Sequence, residues 1–275
     1  MSLFFTSLNS GSNGNCYYVG NSNEAVLVDA GISCRETEKR MKRLGLSMQK
    51  VKAIFISHEH GDHIKGMDVM AHKYQIPIYI TKNTLIGGRL KRNKKLWVDF
   101  KAEEPIKIGD MTVHPFSKQH DASDPHSFTI ECTGIKVGVF TDVGIVCDNL
   151  IKHFKECHAA FLEANYDEQM LEHGGYPLHL KNRIRGGRGH LSNHQALRLF
   201  KEHRPPFMSH LFLSHLSKEN NDPELVHALF ANEASKTNIV IASRYKETDV
   251  YTIGGVNQVE YKRKLSEKPA QMSLF

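Results

Sequence analysis

The stretch "SHEHGDHIKG", residues 57–66, sets three histidines and two acidic residues within six consecutive positions, His58 to His63. It directly follows "VKAIFIS" (51–57), a β-branched and aromatic run that reads as a buried strand. A strand end opens onto a loop, where short spacings turn several side chains toward one point. Imidazole with carboxylate suits zinc, manganese or iron. Four ligands in six residues, His58, His60, Asp62 and His63, exceed what one tetrahedral site takes from a single turn. The pattern therefore points to two metals, each completed by distant residues that the fold must bring to this strand end.

The surrounding chain alternates strand-like and helical segments. "EAVLVDAG" (24–31) and "IPIYIT" (76–81) read as buried strands beside 51–57, with helices predicted over 34–45 and 64–75. Further strands follow at 111–117, 126–134 and 135–144, punctuated by Thr133-Gly134, and another at 207–215. Helices are predicted over 192–203, opened by a Ser-Asn capping signal, and over 222–234, with Pro in its first turn. Strands in two batches, each followed by helices, predict an α/β architecture: two packed sheets with helices outside, a four-layer αββα sandwich. The 275 residues fit one unit over 1–262 and a tail over 263–275.

Five scattered cysteines with no CxxC pair read as reduced thiols. The opening "MSLFFTSLNSGSNGNC" lacks a basic, then apolar, leader pattern. No run approaches the ~18 apolar residues that span a bilayer. These features predict a cytoplasmic protein. The net charge of +6 is clustered: "RLKRNKK" (89–95) and "KNRIRGGRGH" (181–190) suit a polyanionic substrate as well as a solvated face.

HxHxDH after a buried strand resembles the signature of the metallo-β-lactamase superfamily, and four further motifs follow the same order. "LVDAG" supplies Asp29, "SKQHDASDP" His120, "FTDVG" Asp142 and "LSHLSKENN" His215. The resemblance, from about residue 5 to 260, implies that His58, His60 and His120 hold one divalent metal, and that Asp62, His63 and His215 hold a second. Asp142 would bridge them, and Asp29 would fix the tautomer of a ligand imidazole. A hydroxide shared by two such ions is the nucleophile the resemblance implies, with Asp62 counted among the catalytic groups. Histidines 72, 153, 203 and 227, at helical spacings, read as surface or packing residues.

Two more segments, "FLEANYDEQMLEHG" and "RGGRGHLSNHQA", resemble stretches of transfer-RNA 3′-processing nucleases, with Asn165 and Leu191 departing from the family pattern. By that resemblance His190 stabilises the transition state or protonates the leaving oxygen. Ser192 and Asn193, at a helix start, offer groups to a phosphate, and Asn220 and Asn221 are candidate substrate contacts. The "GSNGN" turn (11–15) is expected beside the metals. Only 73 residues separate Asp142 from His215, too few for the inserted domain of the β-CASP RNases. Taken whole, the motifs are most similar to the bacterial YycJ/WalJ branch, which implies a DNA exonuclease acting in repair. A small-molecule hydrolase (cyclic phosphodiesterase, thioesterase or lactonase) on the same centre is the alternative, and a non-catalytic metal-binding platform a third. The last residues, Gln271, Met272, Ser273, Leu274 and Phe275, resemble the peptide that bacterial replication and repair proteins insert into the sliding clamp. Docking of Leu274 and Phe275 on the protein's own core is the competing reading.

Overall fold

In this computed structural model the described residues are 2–90 and 95–254. The first sheet contains β1 (Leu3–Asn9), β2 (Cys16–Gly20), β3 (Ala25–Val28), β4 (Val51–Phe55), β5 (Ile78–Tyr79) and β6 (Trp97–Val98). The second contains β7 (Ile106–Ile108), β8 (Met111–Ser117), β9 (His126–Cys132), β10 (Ile135–Phe140), β11 (Ala159–Glu163), β12 (His210–Ser214) and β13 (Asn238–Ile241). The last strand described, β14 (Tyr251–Ile253), returns to pair antiparallel with β1.

Both faces of each sheet are covered, which is why β1, β2, β3 and β11 are buried along their whole length. Phe5, Tyr17, Val26 and Phe55 of the first sheet meet Phe128, Val139, Phe161 and Phe212 of the second in the central layer. The outer face of the first sheet packs on α1 (Cys34–Arg43) and α3 (Met67–Tyr74), with the short α2 (Gly61–Ile64) and α4 (Lys82–Gly87) on the loops beside them. The outer face of the second packs on α5 (Asp148–Phe154), α8 (Asn193–His203) and α9 (Pro223–Ala231). Two more helices, α6 (Glu168–His173) and α7 (Leu178–Arg185), lie between β11 and α8. The four-layer αββα sandwich expected from the sequence is the observed architecture.

Strand direction places the site. β3 runs parallel to β4, and β10, β11 and β12 run parallel to one another. β8 is antiparallel to β9, which is antiparallel to β10, so β8 shares the direction of β10. The ligand-bearing loops follow the C-terminal ends of β4, β8, β10 and β12, and they converge on one edge of the sandwich.

Some boundaries differ from expectation. The helix predicted over 64–75 is divided into α2 and α3, because Gly66 is pressed against backbone: a Cβ there would lie 2.0 Å from the Ile32 carbonyl oxygen. Its N–H donates to Ala30. The strand predicted over 76–81 shrinks to Ile78–Tyr79, and the one over 207–215 begins at His210, after the Pro205-Pro206 turn. The expected domain end at 262 and the tail over 263–275, including the clamp-like peptide, lie outside the described residues.

The two ends of the described chain are stitched by buried polar groups. Thr248 Oγ1 accepts from the Ser7 N–H at 3.1 Å and lies 2.9 Å from Thr6 Oγ1. Thr248→Val leaves that buried N–H unpaired, and is expected to lower stability by about 1–3 kcal/mol. Denaturant titration checks this, and an unchanged midpoint would show that the stitch is energetically idle.

Candidate metal centre

Each candidate ligand stands just past a strand end. His58, His60, Asp62 and His63 follow β4, His120 follows β8, Asp142 follows β10 and His215 follows β12. Asp29, Asp142 and His215 adopt left-handed backbone, with φ of 61°, 55° and 56°. Such conformations cost a non-glycine residue free energy and persist only where the surroundings hold them. Here they turn each side chain back across the strand ends.

The resulting cluster is close-knit. Potential ligand atoms of His58, His60 and His120 lie within 4.8 Å of one another, as do those of Asp62, His63 and His215, and those of His58, His63 and Asp142. His63 Nε2 is 3.2 Å from Asp142 Oδ2, and His215 Nε2 is 3.5 Å from Asp62 Oδ2. Asp142 Oδ1 lies 3.8 Å from His120 Nε2 and 3.5 Å from His215 Nδ1, so this carboxylate stands between the two triads.

The ring nitrogens turned away from the cluster are held. Asp29 accepts from His63 Nδ1 at 2.8 Å, from the Ser57 N–H at 2.8 Å and from the Ser57 hydroxyl at 2.9 Å. Ser57 Oγ also lies 2.9 Å from His58 Nδ1. His120 Nδ1 donates to the Gly189 carbonyl at 2.9 Å. Glu163, fully buried, accepts from His215 Nδ1 at 3.0 Å and from His190 Nδ1 at 2.8 Å through Oε1. Its Oε2 accepts from the N–H groups of Val143 and Leu191 at 2.8 and 3.1 Å. Partners of this kind orient imidazoles and raise their basicity as ligands.

Burial pushes the His58 and His120 imidazoles down, His58 well below its ordinary value and His120 to about 4, so both are neutral. Burial also acts on His63 and His215, but Asp142 and the other nearby carboxylates outweigh it. His63 rises well above the ordinary value and His215 reaches about 10. Burial opposes ionisation of Asp62, Asp142 and Glu163, yet the neighbouring imidazoles hold the first two well below the carboxylate range and Glu163 at about 2. The cluster therefore concentrates carboxylate charge that protons on His63 and His215 offset, and a divalent cation can replace those protons.

Two buried ligand-type atoms fit the same conclusion: among the described residues His120 Nε2 and His215 Nε2 have no hydrogen-bond partner. Buried polar atoms are rarely left so, and an ion is one of the few things that satisfies them. A further grouping of Asp142, Glu163, His190 and His215 is also compact. There, however, Glu163 is already saturated by two imidazoles and two backbone N–H groups.

With this geometry in hand, comparison with known proteins is informative. The profile of the β-lactamase superfamily domain matches residues 24–215. The chain belongs to the metallo-β-lactamase superfamily. It is 36% identical over 231 residues to exodeoxyribonuclease YycJ of Bacillus anthracis, covering 82% of this chain and 86% of that protein. It is 30% identical over 252 residues to exodeoxyribonuclease WalJ of Streptococcus pneumoniae, covering 89% and 93%. Among solved structures, the metallo-β-lactamase fold protein YhfI of Bacillus subtilis superposes with a TM-score of 0.71 at 18% identity, over 92% of this chain and all (100%) of that one. Membership and these relatives assign the chain to the superfamily's metal-dependent hydrolases, and the clustered histidines and aspartates are groups that could hold a divalent metal.

Other expected site residues fall in distinct settings. His190, partly exposed beside the superfamily ligands, directs Nδ1 at Glu163 and stands with its ring centroid 5.3 Å from that of His215. Ser192 caps α8 in a reciprocal capping box with Gln195. Asn193 and Asn221 are buried and bond each other through their side chains, while Asn221 also donates to the carbonyls of Ala164 and Asn165. Asn220 is buried with both side-chain polar atoms unpartnered. Of the histidines read as packing residues, His153 stacks on Phe116 at 4.1 Å.

Sequence reasoning gave no role to Ser57 or to the Gly189 carbonyl, and met Glu163 only as part of a resemblance. Asn15 was noted as part of the turn expected near the metals. Its Nδ2 lies 3.2 Å from Asp62 Oδ2 and 3.1 Å from His63 Nε2. The adjacency of Ser57 to His58 was the one available signal for Ser57.

Proposed function

We propose that this protein is a metal-dependent exodeoxyribonuclease. The observation that carries the reading is its likeness, over 82% and 89% of the chain, to two proteins named as exodeoxyribonucleases. The site supports it. His58, His60 and His120 would hold one divalent cation, Asp62, His63 and His215 a second, and Asp142 would touch both. Such cations, zinc, manganese or iron by donor type, supply positive charge to a phosphate and lower the pKa of a bound water. Glu163 accepts from His190 Nδ1, which leaves Nε2 as the nitrogen turned to a phosphodiester. In the imidazolium form Nε2 carries the proton that a departing oxygen takes.

The approach to this site is cationic. No residue of α7 is buried, and Arg183, Arg185 and Arg188 are exposed on the segment that leads into His190, Arg183 beside Asp121 and Arg185 beside Glu172 in surface pairs. The same segment lends the Gly189 carbonyl to His120, so backbone that meets a polyanion is tied to a metal ligand. Asn220 remains the candidate substrate contact with unused donors, whereas Ser192, Asn193 and Asn221 act through the loops they brace. Among the described residues no helix is long and apolar enough to cross a membrane, and the cysteines are unpaired, which supports a cytoplasmic setting. The clamp-like peptide at 271–275 is the reason to place the activity in DNA repair.

The test follows end-labelled single- and double-stranded DNA with Mn²⁺ or Zn²⁺, then with a chelator, then with metal restored. Metal-dependent, reversible cleavage with a mononucleotide ladder is the expected result. Metal-loaded protein that leaves every DNA intact but hydrolyses a cyclic nucleotide, thioester or lactone would replace this reading with a small-molecule hydrolase.

A further inference from the structure

Directly beyond the ligand His215, the chain walls a cavity of about 280 Å³. Ser10 joins the two places: it lines the cavity, and its hydroxyl accepts the His215 N–H at 2.8 Å. The floor is apolar, made by Leu216, Pro223 and Ile241, and the rim carries Lys218, Arg244 and Lys246. Among the described residues no carboxylate lines it. Tyr245, also lining it, is 73% exposed, so its ring face is open to a ligand.

That backbone is fixed from three sides. Arg40 donates to the Tyr245 carbonyl, Asn13 donates to the Arg244 carbonyl, and the Ser10 N–H donates to the Ser243 carbonyl at 3.2 Å; the Arg244 side chain also donates from Nη2 to Ser12 Oγ at 2.7 Å. Among the described residues Lys218 pairs with Glu219 at 3.2 Å, both side chains mainly in solvent, and Arg244 bonds the uncharged Ser12. Surface pairs of this kind are weak and exchange readily. An apolar floor, an available aromatic face and several cations around one small cavity match a nucleotide: the base lies on the floor or stacks on the ring, and the phosphate takes the cations.

We propose that this cavity is a subsite for one nucleotide, a phosphate-bearing strand end or the mononucleotide released from it. The proposal rests on the nuclease reading above and deepens it. A cavity with room for a single nucleotide, tied to the His215 backbone through Ser10, would take the end of a strand over its middle. It thereby gives the exonuclease mode a physical cause.

The experiment pairs binding with end preference in the full chain. Calorimetry with dTMP is expected to show binding, which Lys218→Glu and Arg244→Ala each weaken roughly tenfold, the change for one lost charge-assisted contact. Thymidine, without a phosphate, is expected to bind more weakly than dTMP by a similar factor. Oligonucleotides carrying a 5′-phosphate, a 3′-phosphate or only hydroxyl ends then identify which end is taken, and Lys218→Glu is expected to erase that preference. Arg244 also holds Ser12, so Lys218→Glu, on an exposed side chain, carries the test if Arg244→Ala unfolds. Equal dTMP binding by wild type and Lys218→Glu, or none by wild type, overturns the proposal. Lys218-dependent dTMP binding by a protein that cuts no DNA keeps the nucleotide subsite and removes the nuclease reading.

Discussion

Glu163→Gln is expected to reduce phosphodiester hydrolysis by roughly 10²-fold or more, the upper range for losing a partner that orients metal ligands and a proton donor. The glutamate accepts four hydrogen bonds, two imidazole N–H through one oxygen and two backbone N–H through the other. Glutamine has one oxygen. If that oxygen faces the backbone pair, its NH₂ faces His190 and His215, and both rings must move their proton to Nε2. For His215 this blocks the nitrogen that faces Asp62. If the amide is reversed, two buried backbone N–H groups lose their acceptor, at about 1–3 kcal/mol each. The two orientations separate experimentally: the first lowers metal content and activity with little change in melting, and the second lowers the melting temperature. A variant with wild-type turnover, metal content and melting would show that Glu163 positions nothing.

Gly31→Ala is expected to damage the centre from outside it. A Cβ at residue 31 would lie 1.6 Å from the Asp62 carbonyl oxygen and 2.5 Å from the Asn15 nitrogen. Both are backbone atoms, and they already bond each other at 2.7 Å, so neither can yield by a rotamer change. The turn carrying Asp62 and His63 must shift by more than an ångström. A displacement of that size costs about 10²-fold in rate where groups must be aligned, and overpacking typically costs about 1–3 kcal/mol in stability. Metal content after dialysis, with hydrolysis and melting, measures all three consequences. If Gly31→Ala retains metal and activity, the contact between the 29–31 turn and Asp62 does not set the ligand geometry.

These two residues also mark how far the sequence could be read. The clustering of His58, His60, Asp62 and His63 was legible because one short turn carries them, and that of His120, Asp142 and His215 because each sits in a recognisable motif after a strand. The sandwich was legible because apolar runs and amphipathic segments alternate in two batches. The role of Glu163 was not, since its four partners come from loops that meet only when β10, β11 and β12 lie side by side. Nor does the sequence tell a phosphate-binding asparagine from one that bonds another asparagine, as Asn193 and Asn221 do. The division of the predicted 64–75 helix at Gly66 depends on the approach of Ile32, a tertiary contact that no periodicity encodes.

The pairing of β1 with β14 bears on how the protein is made. Leu3 is registered against Ile253, and the Ser7 N–H waits for Thr248. The His215 N–H bonds Ser10, and the Tyr245 carbonyl bonds Arg40. A chain emerging from the ribosome can pair β1 with β2 early, but the other edge of β1 stays open until β14 has been synthesised. Loop closure over such a span is slow, and an open strand edge invites pairing with other chains meanwhile. The metal cluster draws on residues from His58 to His215, so it assembles only after the chain has been made through β12. Truncated translation products would thus be without a working centre, a safeguard for a cell in which stray cleavage of nucleic acid is harmful.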